Sequence, residues 1–315
     1  MHPDWTIFVA GGDSLIGSAL VRRLLQEEGW RIVGAENQGP DLTDPEAVGS
    51  FFRDTRPEYV VHAGGRSGGI EANIRYPAEL MYDNLMATAN VVHAAHAYGV
   101  RKLLYLASSC SYPRLCTQPM TEELLLSGPL EPTNEPYALA KLAGWKLCQA
   151  YRRQYGDDFI VGILANSYGV GDNFSPEDSH VIGALIRRAH EAKVRGRPTL
   201  TVWGTGAPWR EFVFADDLAD ACLLVLLRYT DEAPINLAGG TELSIRELAE
   251  AVCRVVGYTG ELVFDTSRPD GMPRKALDPS RLAALGWAPR VLFEVGLAAT
   301  YRSFLRSVKQ HEVEV

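Results

Sequence analysis

The sequence predicts an α/β protein: a doubly wound parallel sheet with a smaller α/β domain on its C-terminal side. Three observations carry this. A short apolar run, Thr6 to Ala10, leads straight into the turn GGDSLIG and then into the helically spaced SALVRRLLQEEGW. Short apolar runs and helical patterns then alternate as far as Gly169, as strands do when helices cover both faces of a parallel sheet. From about Val170 that alternation gives way to long loops, a helix and isolated β segments.

Strand, glycine turn and helix in that order form a dinucleotide-binding opening of the Rossmann type. Gly11 permits the tight turn, Gly17 lets the helix approach the strand, and the amides at the helix N-terminus face a pyrophosphate. The loop Gly11, Gly12, Asp13, Ser14, Leu15, Ile16, Gly17 is the candidate cradle, with Ser14 at the middle position of the glycine spacing. Arg31 to Ala35 reads as the second strand. Glu36 at its end stands where an acid takes the ribose hydroxyls, or else is an exposed loop carboxylate. Asp41 and Leu42 would flank the adenine. After a helix from Glu46 to Arg53, a third strand, Tyr59 to Ala63, ends in Gly64 and Gly65, where backbone can lie against the cofactor. His62 within that strand reads as a core histidine.

The helix from Pro77 to Tyr98 carries Asn84, Asn90, His93 and His96. The histidine spacing could suit a metal, but no carboxylate pattern accompanies it, so a solvated face and no metal site are expected. Leu103 to Ala107 is a strand that delivers Ser108, Ser109 and Cys110 at its carboxyl end, where open α/β sheets place their chemistry. From Asn134 to Gly156 runs a helix with an Asx cap at Asn134, Pro136 near its start and a glycine stop. Tyr137 and Lys141, four apart, share one face as a proton-transfer pair in which the ammonium favours the phenolate.

Ile160 to Leu164 is a strand followed by Asn166-Ser167-Tyr168-Gly169. Beyond lie a helix from Ser179 to Lys193 with His180, Arg187 and Arg188, and a β segment from Leu200 to Trp203. Glu211 to Tyr229 reads as a strand and helix returning to the first domain. A helix from Ser244 to Val256, a strand from Leu262 to Asp265 and a helix from Leu292 complete the chain. Residues 1–169 with about 211–240 are therefore assigned to the first domain, and about 170–210 with 241–315 to the second.

At 315 residues and 46% hydrophobic content the chain can bury a large core. The net charge of −8 argues against a nucleic-acid binder, although local arginines could hold a phosphorylated small molecule. The start has no basic, cleavable leader and no apolar run reaches membrane-spanning length, so a cytoplasmic protein is expected. Five cysteines without paired spacing suggest a reducing compartment and no zinc, with Cys148, Cys222 and Cys253 as inert core residues.

Ser108, Tyr137 and Lys141 downstream of a glycine loop resemble the Ser-Tyr-Lys set of the extended short-chain dehydrogenase/reductases. The strings SSCSYPR (108–114), QPMTEELLLSGPLEPTNEPYALAKLAG (118–144), SHVIGALIRR, VWGTGAPWREF (202–212) and RPDGMPRKALD (268–278) narrow the likeness to the GDP-L-fucose synthase family. The resemblance implies an NADPH enzyme that performs two epimerisations and one hydride transfer on a GDP-linked 4-keto-6-deoxy sugar. It implies Cys110 as base and His180 as opposing acid, with Ser108 and Tyr137 donating to the C4 oxygen. Asn166, Arg188, Trp203, Arg210 and Lys275 would bind the nucleotide sugar. Read without the family, Cys110 is a buried thiol, His180 a helix-start residue and either arginine a solvated charge.

The family carries arginine where Asp13 stands and near Ala35-Glu36-Asn37, so NADH is expected in preference to NADPH unless Arg66 or Lys102 swings in. Tyr168-Gly169-Val170 replaces a Tyr-Gly-Pro, which leaves the sugar open. The rivals are a nucleotide-sugar 4-epimerase that retains NAD and a dinucleotide-sensing regulator. Apolar residues Leu80, Leu85, Val91, Leu142, Trp145 and Leu147 on two long helices suggest a homodimer.

Overall fold

A strand with no polar alternation must be buried on both faces, and β1 (Trp5–Ala10) is: Ile7, Phe8, Val9 and Ala10 are 0% exposed. The computed structural model describes residues 5–35 and 38–313. After β1 come α1 (Leu15–Leu24), β2 (Trp30–Val33), α2 (Pro45–Thr55), β3 (Tyr59–His62), α3 (Ile70–Arg75), α4 (Pro77–Ala97), β4 (Lys102–Ser108), α5 (Glu135–Tyr155) and β5 (Phe159–Leu164). The chain continues through β6 (Asn166–Tyr168), α6 (Val181–Val194), β7 (Thr199–Trp203), β8 (Trp209–Phe214), α7 (Ala215–Arg228) and β9 (Ile235–Leu237). It ends with β10 (Thr241–Ser244), α8 (Ile245–Val256), β11 (Glu261–Asp265), β12 (Arg274–Lys275), α9 (Ser280–Ala284) and α10 (Phe293–Val313).

The main sheet is parallel throughout in the order β2-β1-β3-β4-β5-β9. The order reverses between β1 and β3, so the carboxyl ends of β1, β3 and β4 open on one crevice. A second sheet, β10-β8-β12 with β6 also on β8, and a parallel pair of β11 with β7 lie on a separate apolar cluster that includes Ile182, Ile186, Leu248, Val252 and Leu297.

Two boundaries differ from the sequence expectation. Strands β6 and β8, read as part of the first domain, pair with each other in the second sheet. Only Ala165 separates β5 from β6, so the chain passes between sheets without a helix to mark the change. Helix α7 does pack in the main core, through Leu218, Cys222 and Leu226.

Buried polar side chains fasten the two parts together. Glu211, 4% exposed, accepts from the amides of Gly239 at 2.6 Å, Gly240 at 2.9 Å and Leu277 at 2.9 Å. Asn236 accepts from the Tyr112 hydroxyl at 2.6 Å and donates to the carbonyls of Met120 and Asp278. Asp217 accepts from the amides of Arg290 and Val291.

The apolar surface offered for a dimer is largely consumed inside the chain. Leu80, Val91, Leu142 and Trp145 are buried, because α4 and α5 pack on each other and on the sheet. On these helices Tyr82, Leu139 and Tyr155 remain exposed. His93 contacts the Tyr151 hydroxyl at 2.8 Å and His96 contacts Asp157 at 2.8 Å, so each ring has a protein partner. Among the described residues no group of three His, Cys, Asp or Glu is placed to hold a metal, and no helix is long and apolar enough to cross a membrane.

Candidate active site

The glycine loop closes on backbone. A Cβ on Gly17 would stand 1.9 Å from the Gly11 carbonyl oxygen, and one on Gly11, at φ +79°, would stand 2.4 Å from the Gly64 Cα. Gly12 faces the Gly34 carbonyl and Gly64 faces Leu42 at similar distances, so the cradle fits only residues without side chains. Ser14 caps α1: its hydroxyl accepts from the Gly17 amide at 3.1 Å and donates to the Gly11 carbonyl at 2.7 Å. Its place in the glycine spacing thus serves the helix start that a pyrophosphate would face, beside Leu15 and Ile16.

Around the cradle, Ala63 and the exposed Gly65 follow β3. Asp41 is exposed and accepts from the Thr43 amide and hydroxyl, while the Leu42 carbonyl accepts from Asn90 at 3.0 Å. Asp13 is exposed at the loop tip. Glu36 and Asn37 lie outside the described residues. Of the two cations considered for a 2′-phosphate, Lys102 is removed: it starts β4 at the opposite edge of the sheet, buried against the Tyr229 carbonyl at 2.5 Å and Asp158 at 3.2 Å. Arg66 lies over the Tyr76 ring with its guanidinium 3.8 Å from Asp83.

Helix α5 brings Tyr137 and Lys141 to the carboxyl end of β4, where Ser108 sits and hydrogen-bonds Tyr137. Lys141 is 6% exposed, and burial lowers its ammonium to about 8. Tyr137 differs from the sequence expectation: burial pushes its phenol well above the ordinary range, and only the Ser108 hydrogen bond opposes that. The Lys141 ammonium lies 5.8 Å from the centre of the Tyr137 ring, itself desolvated. A phenol so placed holds its proton until an oxyanion beside it demands one. Beneath them His62, buried and lowered to about 3 by burial and Lys141, contacts the Thr88 hydroxyl at 3.3 Å.

Beyond the triad opens a cavity of about 600 Å³ lined by Cys110, Asn134, Asn166, Arg188, Trp203, Arg210 and Lys275 among others. Cys110 is half-buried, its amide donating to the Ser108 hydroxyl at 3.2 Å. The Lys275 ammonium is 3.7 Å from its sulfur. His180 caps α6 with its backbone and is exposed to solvent, yet protein atoms and Lys275 crowd its imidazole and draw it below the usual histidine range. Arg210 donates to the carbonyls of Trp209 and Asp270, and burial lowers it. Arg188 donates to the Thr201 carbonyl, Asn166 to that of Glu211 at 2.8 Å, and Trp203 stacks under Arg268 at 4.7 Å.

Asn134 departs from expectation. Its side chain makes no capping bond; the helix start is held by its carbonyl, which accepts from Ala138 at 3.0 Å, while its amide nitrogen donates to the Cys110 sulfur at 3.3 Å. Sequence reading passed over Glu131 and Asp270 in the cavity wall and Glu211 behind it. A glutamate inside the apolar strand pattern WREFVF was the available signal for Glu211. Of the other four cysteines, Cys116 is half-buried, while Cys148, Cys222 and Cys253 are buried and their thiols are pushed up, that of Cys222 to about 12.

Comparison with known proteins gives the following. Residues 7–238 match the NAD dependent epimerase/dehydratase family. GDP-L-fucose synthase 1 of Arabidopsis thaliana is 52% identical, with 96% of this chain and 94% of that protein aligned. GDP-L-fucose synthase of Sinorhizobium fredii is 49% identical over 96% of both. The crystal structure of a GDP-L-fucose synthetase from Naegleria fowleri bound to NADP superposes with a TM-score of 0.89 at 28% identity, covering 98% of this chain and 96% of that one.

Proposed function

The chain belongs to the NAD dependent epimerase/dehydratase family and, within it, to the GDP-L-fucose synthases, and on that premise we propose that it converts a GDP-linked 4-keto-6-deoxy sugar by epimerisation at C3 and C5 and reduction at C4. The observation that carries the reading is the junction at the end of β4, where Ser108, Tyr137 and Lys141 stand beside a cavity that holds Cys110, Arg188 and Arg210. The loop Gly11–Gly17 with Ala63, Gly64 and Gly65 would hold the dinucleotide, its backbone cradle leaving no room for side chains. A reduced nicotinamide supplies hydride when bound.

The rest falls to the chain's own side chains. Cys110 takes the proton beside the ketone and His180 returns one from the other face; Ser108 and Tyr137 donate to the enolate oxygen. Tyr137 then protonates the C4 oxygen, and Arg188 with Arg210 suits the diphosphate. In this reading the parallel sheet is the dinucleotide domain and the second cluster the nucleotide-sugar domain. NADH is the proposed cofactor, and five thiols without a disulfide support a cytoplasmic setting. A homodimer through α4 and α5 would rest on Tyr82, Leu139 and Tyr155, and a monomeric mass by light scattering at micromolar concentration would count against it.

The test is a panel of 4-keto nucleotide sugars, with nicotinamide absorbance and product NMR followed together. Reduction of the GDP-linked 4-keto-6-deoxy sugar with inverted C3 and C5 is expected. Interconversion at C4 without net cofactor consumption would mean a 4-epimerase, and stoichiometric binding without turnover a sensor.

A further inference from the structure

We infer that Asn134 is a positioning residue for Cys110: with Lys275 it holds the sulfur as a thiolate facing the cavity. The inference rests on the reading of Cys110 as the base, and goes beyond it to what makes that base available.

Four observations converge. Asn134 stands at the start of α5, the place where an asparagine ordinarily caps, yet its side chain makes no capping bond. Its Nδ2 instead donates to the Cys110 sulfur at 3.3 Å. Its Oδ1 is buried without a hydrogen-bond partner, a cost accepted in this orientation of the amide. Finally, the Lys275 ammonium donates to the same sulfur at 3.7 Å.

Both neighbours of the sulfur are therefore donors. A thiol would present its own S–H and call for an acceptor, and the Asn134 Oδ1 would serve if the amide turned over. Two donors with no protein acceptor opposite them favour the thiolate, the form that accepts without donating. Its backbone is fixed as well, by the Cys110 amide bond to the Ser108 hydroxyl. The charged groups facing the sulfur are Lys275 and Arg210, which favour the anion; Tyr137, which keeps its proton, is neutral beside it. Asn134 adds an uncharged donor beside the Lys275 ammonium, so two groups of different kind stabilise the anion.

The test is the rate at which iodoacetamide alkylates Cys110 at neutral pH, read residue by residue by mass spectrometry, since the rate follows the thiolate population. Asn134→Ala should slow alkylation about tenfold, the effect of losing one hydrogen bond to a charged group. Asn134→Asp, of the same shape but with a carboxylate beside the sulfur, should be slower still, and Lys275→Met should shift the rate in the same direction. Because no capping bond is lost, the melting temperature of Asn134→Ala should stay close to the parent. Deuterium uptake from D₂O at C3 and C5 should fall in step with alkylation. Equal alkylation rates in the parent, Asn134→Ala and Asn134→Asp, all folded, overturn the inference. Uptake that persists in Cys110→Ser removes Cys110 as the base, a separate failure that leaves the alkylation order to be judged on its own.

Discussion

The two walls of the crevice are built by different means. On the side proposed for the dinucleotide the surfaces are backbone: Gly11, Gly12, Gly17 and Gly64 meet main chain or one leucine at distances that admit no Cβ. On the side proposed for the sugar they are side chains, Cys110, Asn134, Arg210 and Lys275, carried on segments that reach the cavity from positions 110 to 275. Buried polar groups hold those segments; Glu211 alone ties Gly239, Gly240 and Leu277, two residues from Lys275. The first wall is spoiled by adding atoms and the second by removing them. That asymmetry suits a shared cofactor on one side and a particular sugar on the other.

The largest effect should come from removing one oxygen where the walls meet. Tyr137→Phe should lower reduction by about 10²–10⁴, the usual contribution of a positioned proton donor, while nucleotide-sugar binding stays close to that of the parent. Wild-type-like turnover would mean that the proton comes from elsewhere and that the chemistry does not sit at this junction.

Next is a matched pair of side-chain losses, one behind each wall. Glu211→Gln has one acceptor oxygen for the amides of Gly239, Gly240 and Leu277, so at least one buried donor loses its partner. The expected loss is about 2–4 kcal/mol in urea unfolding, with a raised KM for the sugar as the strap carrying Lys275 loosens. Ser14→Ala gives up the cap of α1, worth about 1 kcal/mol, and should leave the sugar KM alone. If the two variants cost the same and neither moves the sugar KM, the contrast between the walls is wrong.

The contrast also explains what could be read from the sequence. The parallel sheet, the cradle and the Tyr137–Lys141 face were legible because glycine spacing and helical period are local signals. Strands β6 and β8 were misassigned because one residue, Ala165, separates two sheets and leaves no turn or helix to see. Asn134 was read as a cap because that is what its position ordinarily demands; its turn toward Cys110 depends on a contact 24 residues away in the chain. The phenol of Tyr137 was expected to be acidified by Lys141, but burial acts on both groups and raises the phenol. The dimer argument counted apolar residues on α4 and α5 without the packing of one helix on the other, which buries Leu80, Val91, Leu142 and Trp145.

The last expected effect lies within the backbone wall, where side chains are proposed to set the choice between NADH and NADPH. Asp13 is exposed at the tip of the loop, and Gly12 beside it packs on Gly34 at the end of β2, which brings that tip to the strand end where the adenosine ribose would lie. A 2′-phosphate there carries about −1.5 to −2 charge by analogy with phosphorylated side chains. An opposing carboxylate in place of the family's arginine both repels it and withdraws the usual attraction, for roughly tenfold or more in KM at low salt. Glu36, where the sequence puts a second acid, can accept from a free ribose diol that the phosphate would remove. Of the two cations that could have compensated, Lys102 is held at the far edge of the sheet, which leaves Arg66. The neighbour from Naegleria fowleri was solved with NADP, so a preference for NADH would set this chain apart from it. Fluorescence titration with both reduced cofactors, alongside steady-state kinetics, should give tighter binding and higher kcat/KM for NADH. Asp13→Arg should narrow that difference and Glu36→Arg reverse it, both less so as salt is raised. NADPH bound as tightly as NADH by the parent, with Arg66→Ala selectively weakening it, would assign the 2′-phosphate to Arg66 and end the case for the two acids.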